Sequence, residues 1–314
     1  MLLLFLLSSC LGLKMIKILV NCMRSCEDNS SSDRVTLHLY LEETVSLICD
    51  CISSSSWASK RKSAKATTTL CEIMGDSLST SHQVLLKCLL KEVGGRFWEG
   101  KDVILYALAS LCTSCNVAMS TADPTAPGII LSSIASACTK KVKSYREAAF
   151  VCLKQIVKAF DDPESFNKVF PMLYDVCDHA ALKMDTNTIS SSAATDDNES
   201  ASVAIEKVMD CVATCIHVAH VEDILKEKER CFSSLAPKLV ECIRNVKVSQ
   251  FHVAASECIL EIVKLHRNIH AGQRRETDLK NELVRLTEVE KSEQAKTFFR
   301  RAIEILSEME KDDL

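Results

Sequence analysis

Cys112-Thr-Ser-Cys115 has the spacing of a zinc ligand pair or of a redox dithiol. Zinc would need a second ligand pair, and a redox centre would need a strand-to-helix turn. Here the motif lies inside a helical pattern with Cys115 in its apolar stripe, so both thiols are expected to pack as small hydrophobes. Cys211 and Cys215 share one helical face, with His217 and His220 close by. Two histidines at that spacing could complete a tetrahedron only if the helix bent sharply, so core and surface roles are expected instead. Lys60, Arg61, Lys62 and Lys65 form the densest basic run, a candidate nuclear-import signal or contact for an acidic partner, with a solvated helix face as the alternative. Asn29-Ser30-Ser31 and Asn198-Glu199-Ser200 are glycosylation sequons that matter only in a secreted chain. No phosphate-cradle, dinucleotide, nucleophile-elbow or zincin motif occurs. No catalytic, cofactor-binding or metal residue is therefore nominated, and the expectation is a protein without enzymatic activity or cofactor.

The elements that position these residues follow from composition and period. A length of 314 residues exceeds what one hydrophobic core usually serves, so two domains or an open-ended stack is expected. Seven Gly and five Pro leave few turn signals, and 47% hydrophobic with 25% charged residues suits a helical globular chain. The net charge of −4 shows no basic excess of the kind that holds a phosphate backbone, so nucleic acid is not an expected partner. Seventeen Cys is an odd number, and Cys88, Cys115, Cys138 and Cys177 follow apolar stripes, not loop spacing. Free thiols in a reducing compartment are expected, hence cytoplasm and nucleus.

Both termini imitate targeting signals. "MLLLFLLSSCLGL" resembles a signal-peptide core, but no basic residue precedes it, and Lys14 follows 13 uncharged residues, too few to span a bilayer. "KDDL" at Lys311 to Leu314 is one residue away from an ER-retention signal and reads as the charged end of an amphipathic helix. No direct membrane span is expected.

Periodicity supplies the architecture. "WASKRKSAKATTTLC" from Trp57 and "WEGKDVILYALASLC" from Trp98 place Trp, Lys, Ala, Leu and Cys at the same offsets, one interval of 41 apart. Ile104, Ala107, Leu108, Leu111, Cys115 and Ala118 advance by threes and fours, so they share one helical face. A third copy carries Ala149, Leu153 and Ile156, matching Ala66, Leu70 and Ile73, and a fourth carries Ala255, Ile259 and Ile262. Partner helices lie between, marked by Leu85, Cys88 and Leu89, by Ile130, Ile134, Ala137 and Cys138, and by Phe166, Phe170, Leu173 and Cys177. Two helices every 40 to 47 residues or so is the signature of HEAT or armadillo units, in which each unit buries its apolar face only against the next. The fold class expected is thus all-α, an α-solenoid of helical hairpin repeats. The small Ala position is expected where two helices approach closely. Trp57 and Trp98 are expected to wedge at the starts of equivalent helices, with Gly100 letting the chain turn.

The repeats divide as 33–184 and 203–314, with an atypical apolar start and polar loop over 1–32 and a flexible Ser/Thr/Asp-rich loop over 185–202. The last helix, with Ala295, Phe298, Phe299, Ala302, Ile305, Leu306 and Met309 along one side, has the pattern of a terminal cap. No polar cap matches it at the other end, so the array is expected to begin upstream of this chain or the chain to be an incomplete product.

"GRFWEGKD", Gly95 to Asp102, resembles the G-R-x-W-x-G-K-(Glu or Asp) stretch of the large HEAT-repeat proteasome adaptor and scaffold family, and "SSWASKRKSAKATTTLCEI" looks like the unit that precedes it there. The resemblance covers about Ser55 to Cys115, continues more weakly to Leu314, and is absent from the apolar start. It implies the C-terminal portion of a longer solenoid, with Gly95, Arg96, Trp98, Gly100 and Lys101 as structural motif residues. It also implies a non-enzymatic adaptor that binds the 26S proteasome, bridges its core and regulatory particles, and links it to quality control, ER-associated degradation and other protein partners. A general HEAT scaffold for transport or phosphatase assemblies would share the fold and differ in cargo. A lumenal, disulfide-bearing protein would instead use both suspicious termini.

Overall fold

The computed structural model describes residues 38–162, 165–173, 205–218, 230–245, 249–267 and 273–312. The apolar start, the polar break at Cys26 to Asp33, both sequons, Cys177, His220, the Asp185 to Ser200 loop and the last two residues lie outside them. Two compact units divide at Phe160/Asp161. No strand occurs among the described residues.

In the first unit, α1 (Leu41–Ser53), α3 (His82–Gly94) and α5 (Ala126–Cys138) form one layer, and α2 (Trp57–Met74), α4 (Asp102–Ala122) and α6 (Lys143–Phe160) form the other. Each helix packs on its hairpin partner and on its counterpart in the next repeat. Local chemistry sets the ends. Ser56 caps α2 by accepting the Ser59 N–H at 3.3 Å, Gly75 leaves that helix at φ 50°, and Pro127 sits in the first turn of α5, where its missing N–H costs nothing.

The repeat register is borne out residue by residue. Ala66, Ala107, Ala149 and Ala255 are all at 0% exposure, as are Leu70, Leu111, Leu153 and Ile259. Each such leucine or isoleucine contributes about 1.5–3 kcal/mol through burial, while the alanine beneath it leaves room for the neighbouring backbone. Polar groups stitch the stack as well. Ser114 and Asn116, about 200° apart around α4, reach in opposite directions: Ser114 Oγ donates to the Cys71 carbonyl at 3.1 Å, and Asn116 Nδ2 donates to the Ala159 carbonyl at 2.6 Å. Helix α4 is long and apolar enough to cross a membrane by length and composition, and here it lies sandwiched between α2 and α6 with Ile104, Leu108 and Leu111 fully buried.

The second unit has the same plan. Phe166 and Phe170 stack at 4.4 Å within helical residues 165–173. Helices α7 (Ile205–Val218), α9 (Ser249–Arg267) and α11 (Glu293–Asp312) pack in succession, with α8 (Ala236–Asn245) against α9 and α10 (Gln273–Val289) against α11. A π-helical turn, Arg230–Leu235, leads directly into α8. On α11 the apolar stripe divides: Ala295, Phe299, Ala302 and Leu306 are fully buried, while Phe298 and Ile305 are half-covered at its margin.

Candidate docking edge around the Gly95 to Lys101 loop

Helix α3 ends at Gly94 with carbonyls that have no partner inside the helix. Lys101, at the far end of the following loop, supplies the donor. Its Nζ donates to the carbonyls of Val93 at 3.0 Å, Gly95 at 2.7 Å and Arg96 at 3.4 Å, and the residue is only 2% exposed. The ammonium thus sits at the negative end of the α3 dipole, with the Tyr145 ring 5.8 Å away. Burial pulls its pKa below the usual lysine value, with Glu92 opposing and Lys60 and Lys140 assisting.

Glu92, in the last turn of α3, uses both carboxylate oxygens. Lys60 Nζ of α2 donates to Oε2 at 2.6 Å, and Trp98 Nε1 donates to Oε1 at 2.8 Å. Lys60 and Glu92 are 13% and 14% exposed, so the pair is shielded from solvent on most sides. Gly100 turns the chain back toward α4 at φ 84°, and a Cβ there would meet the Arg61 guanidinium at 3.4 Å. The motif residues Gly95, Trp98, Gly100 and Lys101 therefore form a knot joining α2, α3 and α4.

The two tryptophans differ from the expectation of equivalent wedges. Trp98 is 4% exposed and Trp57 is 54% exposed. The interval of 41 holds for the helix interiors, but α2 begins at Trp57 itself whereas α4 begins four residues after Trp98. Trp98 belongs to the loop and folds inward onto Glu92, while Trp57 occupies a first turn that nothing covers. The lysines at the shared offset diverge too, Lys60 ending on a carboxylate and Lys101 among backbone carbonyls.

Of the basic run, Lys60 is thus committed to Glu92 and Arg61 lies beside Gly100, leaving Lys62 and Lys65 projecting from α2. Arg96, Phe97 and Glu99 point outward from the loop, Phe97 being 45% exposed with its edge on Tyr145 at 5.8 Å. Lys140, Lys141 and Lys143, before and at the start of α6, are exposed as well, and Lys140 is near enough to Lys101 to affect its titration. Motif spacing does not single out these lysines or Glu92; the run "TKKVKSYR" is the signal that could have found the lysines. The loop thus presents exposed Arg96 and Phe97, and α2 and the start of α6 present exposed lysines, with the loop tied to α2 and α3 through Glu92.

The cysteine candidates sit in the core. Cys112 is 0% and Cys115 is 2% exposed, and burial pushes both thiols up, Cys115 to about 11. Cys115 leaves helical geometry at φ −127° and ψ 20°, so a kink splits the motif. Cys215 is buried, whereas His217 is exposed and has its Nδ1 3.0 Å from Glu261 of α9; the side chain of Cys211 lies outside the description. Cys88, expected in an apolar stripe, is half-buried against Cys49 and Ser53 of α1.

Comparison with known proteins places these repeats. The family described as "ECM29, C-terminal ARM-like repeats" matches residues 140–239, C-terminal to the loop just described. The human "Proteasome adapter and scaffold protein ECM29" is 28% identical over 142 residues, covering 44% of this chain and 8% of that protein. The Saccharomyces cerevisiae "Proteasome component ECM29" is 36% identical over 83 residues, covering 26% and 4%. The chain thus spans less than a tenth of the length of these relatives. Among solved structures, the designed armadillo repeat protein YIII(Dq)4CqI aligns with a TM-score of 0.56 at 13% identity, covering 82% of this chain and 98% of that one. An engineered protein of the Northeast Structural Genomics Consortium, target OR497, aligns with a TM-score of 0.63 at 12% identity, covering 93% and 64%. These two show the fold alone. Stacked hairpins in register, the family match over residues 140–239 and both relatives thus make this chain similar to the C-terminal ARM-like repeats of the ECM29 family.

Proposed function

We propose that this chain is a non-catalytic scaffold segment that binds the 26S proteasome, touching core and regulatory particle subunits, and that links it to quality control and ER-associated degradation. The observation that carries this reading is the match of its repeats to a family whose human relative is named a proteasome adapter and scaffold. The mechanism is display. A stack of helical hairpins holds many side chains at a fixed repeat distance, and weak contacts made together yield an avidity that none reaches alone. In the first unit the contact edge is Lys62 and Lys65 with the loop at Arg96 and Phe97, held in place by the buried Lys60–Glu92–Trp98 knot. The proposed site of action is the cytoplasm and nucleus, where the buried thiols stay reduced.

Affinity capture of the tagged full chain from cells, followed by quantitative mass spectrometry, tests this. Enrichment of core and regulatory particle subunits above a tag-only control is expected. Recovery of transport factors or phosphatase subunits without proteasome subunits would overturn the assignment, as would protection of the chain from protease inside microsomes.

A further inference from the structure

Cys49 and Cys88 stand apart from the other cysteines. Of the twelve cysteines whose side chains are described, these two are half-buried and the other ten are buried. They lie on neighbouring helices of one layer, one turn from Ser53 and Val84 respectively. Cys88 Sγ is 3.6 Å from the Cys49 carbonyl oxygen, Cys49 Sγ is 3.9 Å from the Val84 carbonyl oxygen, and Ser53 Oγ is 3.8 Å from Cys88 Sγ. Each thiol therefore reaches across to the other's helix, and a hydroxyl lies against one of them. The ten buried thiols serve as apolar fillers in the repeat core, whereas this pair is partly open to solvent.

We infer that Cys49 and Cys88 form a reversible dithiol modification site that takes a hydroperoxide as its two-electron oxidant, with Cys88 as the attacking sulfur and Cys49 as the resolving one. Electrostatics assigns the roles. The side-chain interaction with Cys49 pulls Cys88 down, Ser53 and Lys60 add to that, and together they outweigh burial and Glu92 to hold Cys88 at about 7. Cys49 is pushed upward by the same interaction and by burial, so the proton stays on Cys49. Burial raises Cys71, Cys112 and Cys152, which stay protonated and unreactive.

The Cys88 thiolate attacks the terminal peroxide oxygen, the O–O bond breaks, and hydroxide (alkoxide from an organic hydroperoxide) leaves and takes up a proton, giving a sulfenic acid on Cys88. The Cys49 sulfur then displaces that hydroxyl. Its proton leaves with the hydroxyl as water, and an S–S bond forms. In sum, two thiols lose two electrons and two protons, and one hydroperoxide becomes one alcohol or water plus one water. The disulfide requires the two Cα atoms to come within about 7 Å, and each thiol already reaches across to the other's helix. The bond would fasten α1 to α3, adjacent repeats of one layer, and a thiol reductant would release them.

The test uses the purified full chain in native buffer with hydrogen peroxide, followed by alkylation and digestion without reduction. Peptides joined through Cys49 and Cys88 are expected, formed before any change at Cys71, Cys112 or Cys152, with loss of two hydrogen atoms and full reversal by dithiothreitol. A short alkylation pulse on the reduced chain should label Cys88 at least tenfold faster than those three. With Cys49→Ala the reaction should stop at a Cys88 sulfenic acid captured by dimedone, and with Cys88→Ala Cys49 should stay reduced. An unfolded variant would reveal itself by labelling all cysteines alike, so the wild-type pulse decides independently of the variants. Equal labelling of Cys88 and Cys71 in the wild-type chain, or cross-links shared evenly among other cysteines, would overturn the site.

Discussion

Lys60 Nζ lies 2.6 Å from Glu92 Oε2, and the other oxygen of the same carboxylate is held by Trp98 Nε1 at 2.8 Å. One acidic side chain therefore decides where α2, the end of α3 and the following loop meet. Glu92→Gln keeps the size and the indole bond but leaves the Lys60 ammonium mostly buried without its counter-charge. The expected cost is about 2–3 kcal/mol, read as a lower urea midpoint at unchanged slope. Glu92→Ala should cost more, because the indole N–H also loses its acceptor. A midpoint for Glu92→Gln within error of the wild type would show that solvent already satisfies Lys60.

Gly94 and Gly100 bracket the same loop and should respond to alanine with opposite signs. Gly100 has φ 84°, and an added Cβ would stand 3.4 Å from the Arg61 guanidinium, so Gly100→Ala should destabilise by about 1–2 kcal/mol. At Gly94 a Cβ meets nothing within 4 Å and the backbone is helical, so Gly94→Ala should be neutral or stabilise by up to about 1 kcal/mol. Thermal melts of the two variants side by side check the contrast, and a shared sign would remove the argument from backbone conformation.

What could be read from the sequence follows from range. Ala66, Ala107 and Ala149 with Leu70, Leu111 and Leu153 were legible because a helix face imposes a local period and a repeat copies it. The different fates of Trp57 and Trp98, and of Lys60 and Lys101, were hidden because each is settled by residues brought in from elsewhere. Glu92 turns Trp98 inward, and the carbonyls closing α3 capture Lys101. Lys140 reached the edge for the same reason: hairpin packing, not spacing, carries its loop beside Lys101. Cys49 and Cys88, 39 positions apart, have no spacing that marks them as a pair, and only the layer of α1 and α3 does so.

Glu290 in the second unit gives the fold an acid-sensitive joint. Its Oε2 lies 2.7 Å from His252 Nδ1 of α9, while its Oε1 accepts the N–H groups of Lys291 at 2.7 Å and Ser292 at 2.8 Å, just before α11. Burial pushes this carboxyl up, but the Ser292 and Lys291 amides and His252 together outweigh it and hold it below the usual glutamate value. A folded-state pKa depressed in this way means stability that is complete above the unfolded value, about 4.3, and that is lost as pH falls through the lower folded value. Glu290→Gln should therefore flatten the acid limb of the melting temperature against pH and lower the plateau above pH 5 or so. An acid limb of unchanged steepness in that variant would assign the sensitivity to other carboxylates.

Charge reversal separates the proposed docking role of the basic run from its structural one. Lys62 and Lys65 project from α2, whereas Lys60 is tied to Glu92. Lys62→Glu with Lys65→Glu should therefore leave stability within about 0.5 kcal/mol of the wild type, yet weaken capture of an acidic partner surface several-fold. The loss should shrink as salt rises, since exposed charges are screened over about 8 Å at physiological ionic strength. Phe97→Ala removes the half-exposed ring of the loop and should weaken capture without that salt dependence, because it deletes apolar contact area and no charge. Capture of proteasome subunits by the double reversal at wild-type yield, across low and moderate salt, would move the docking surface off this edge and onto another face of the repeats.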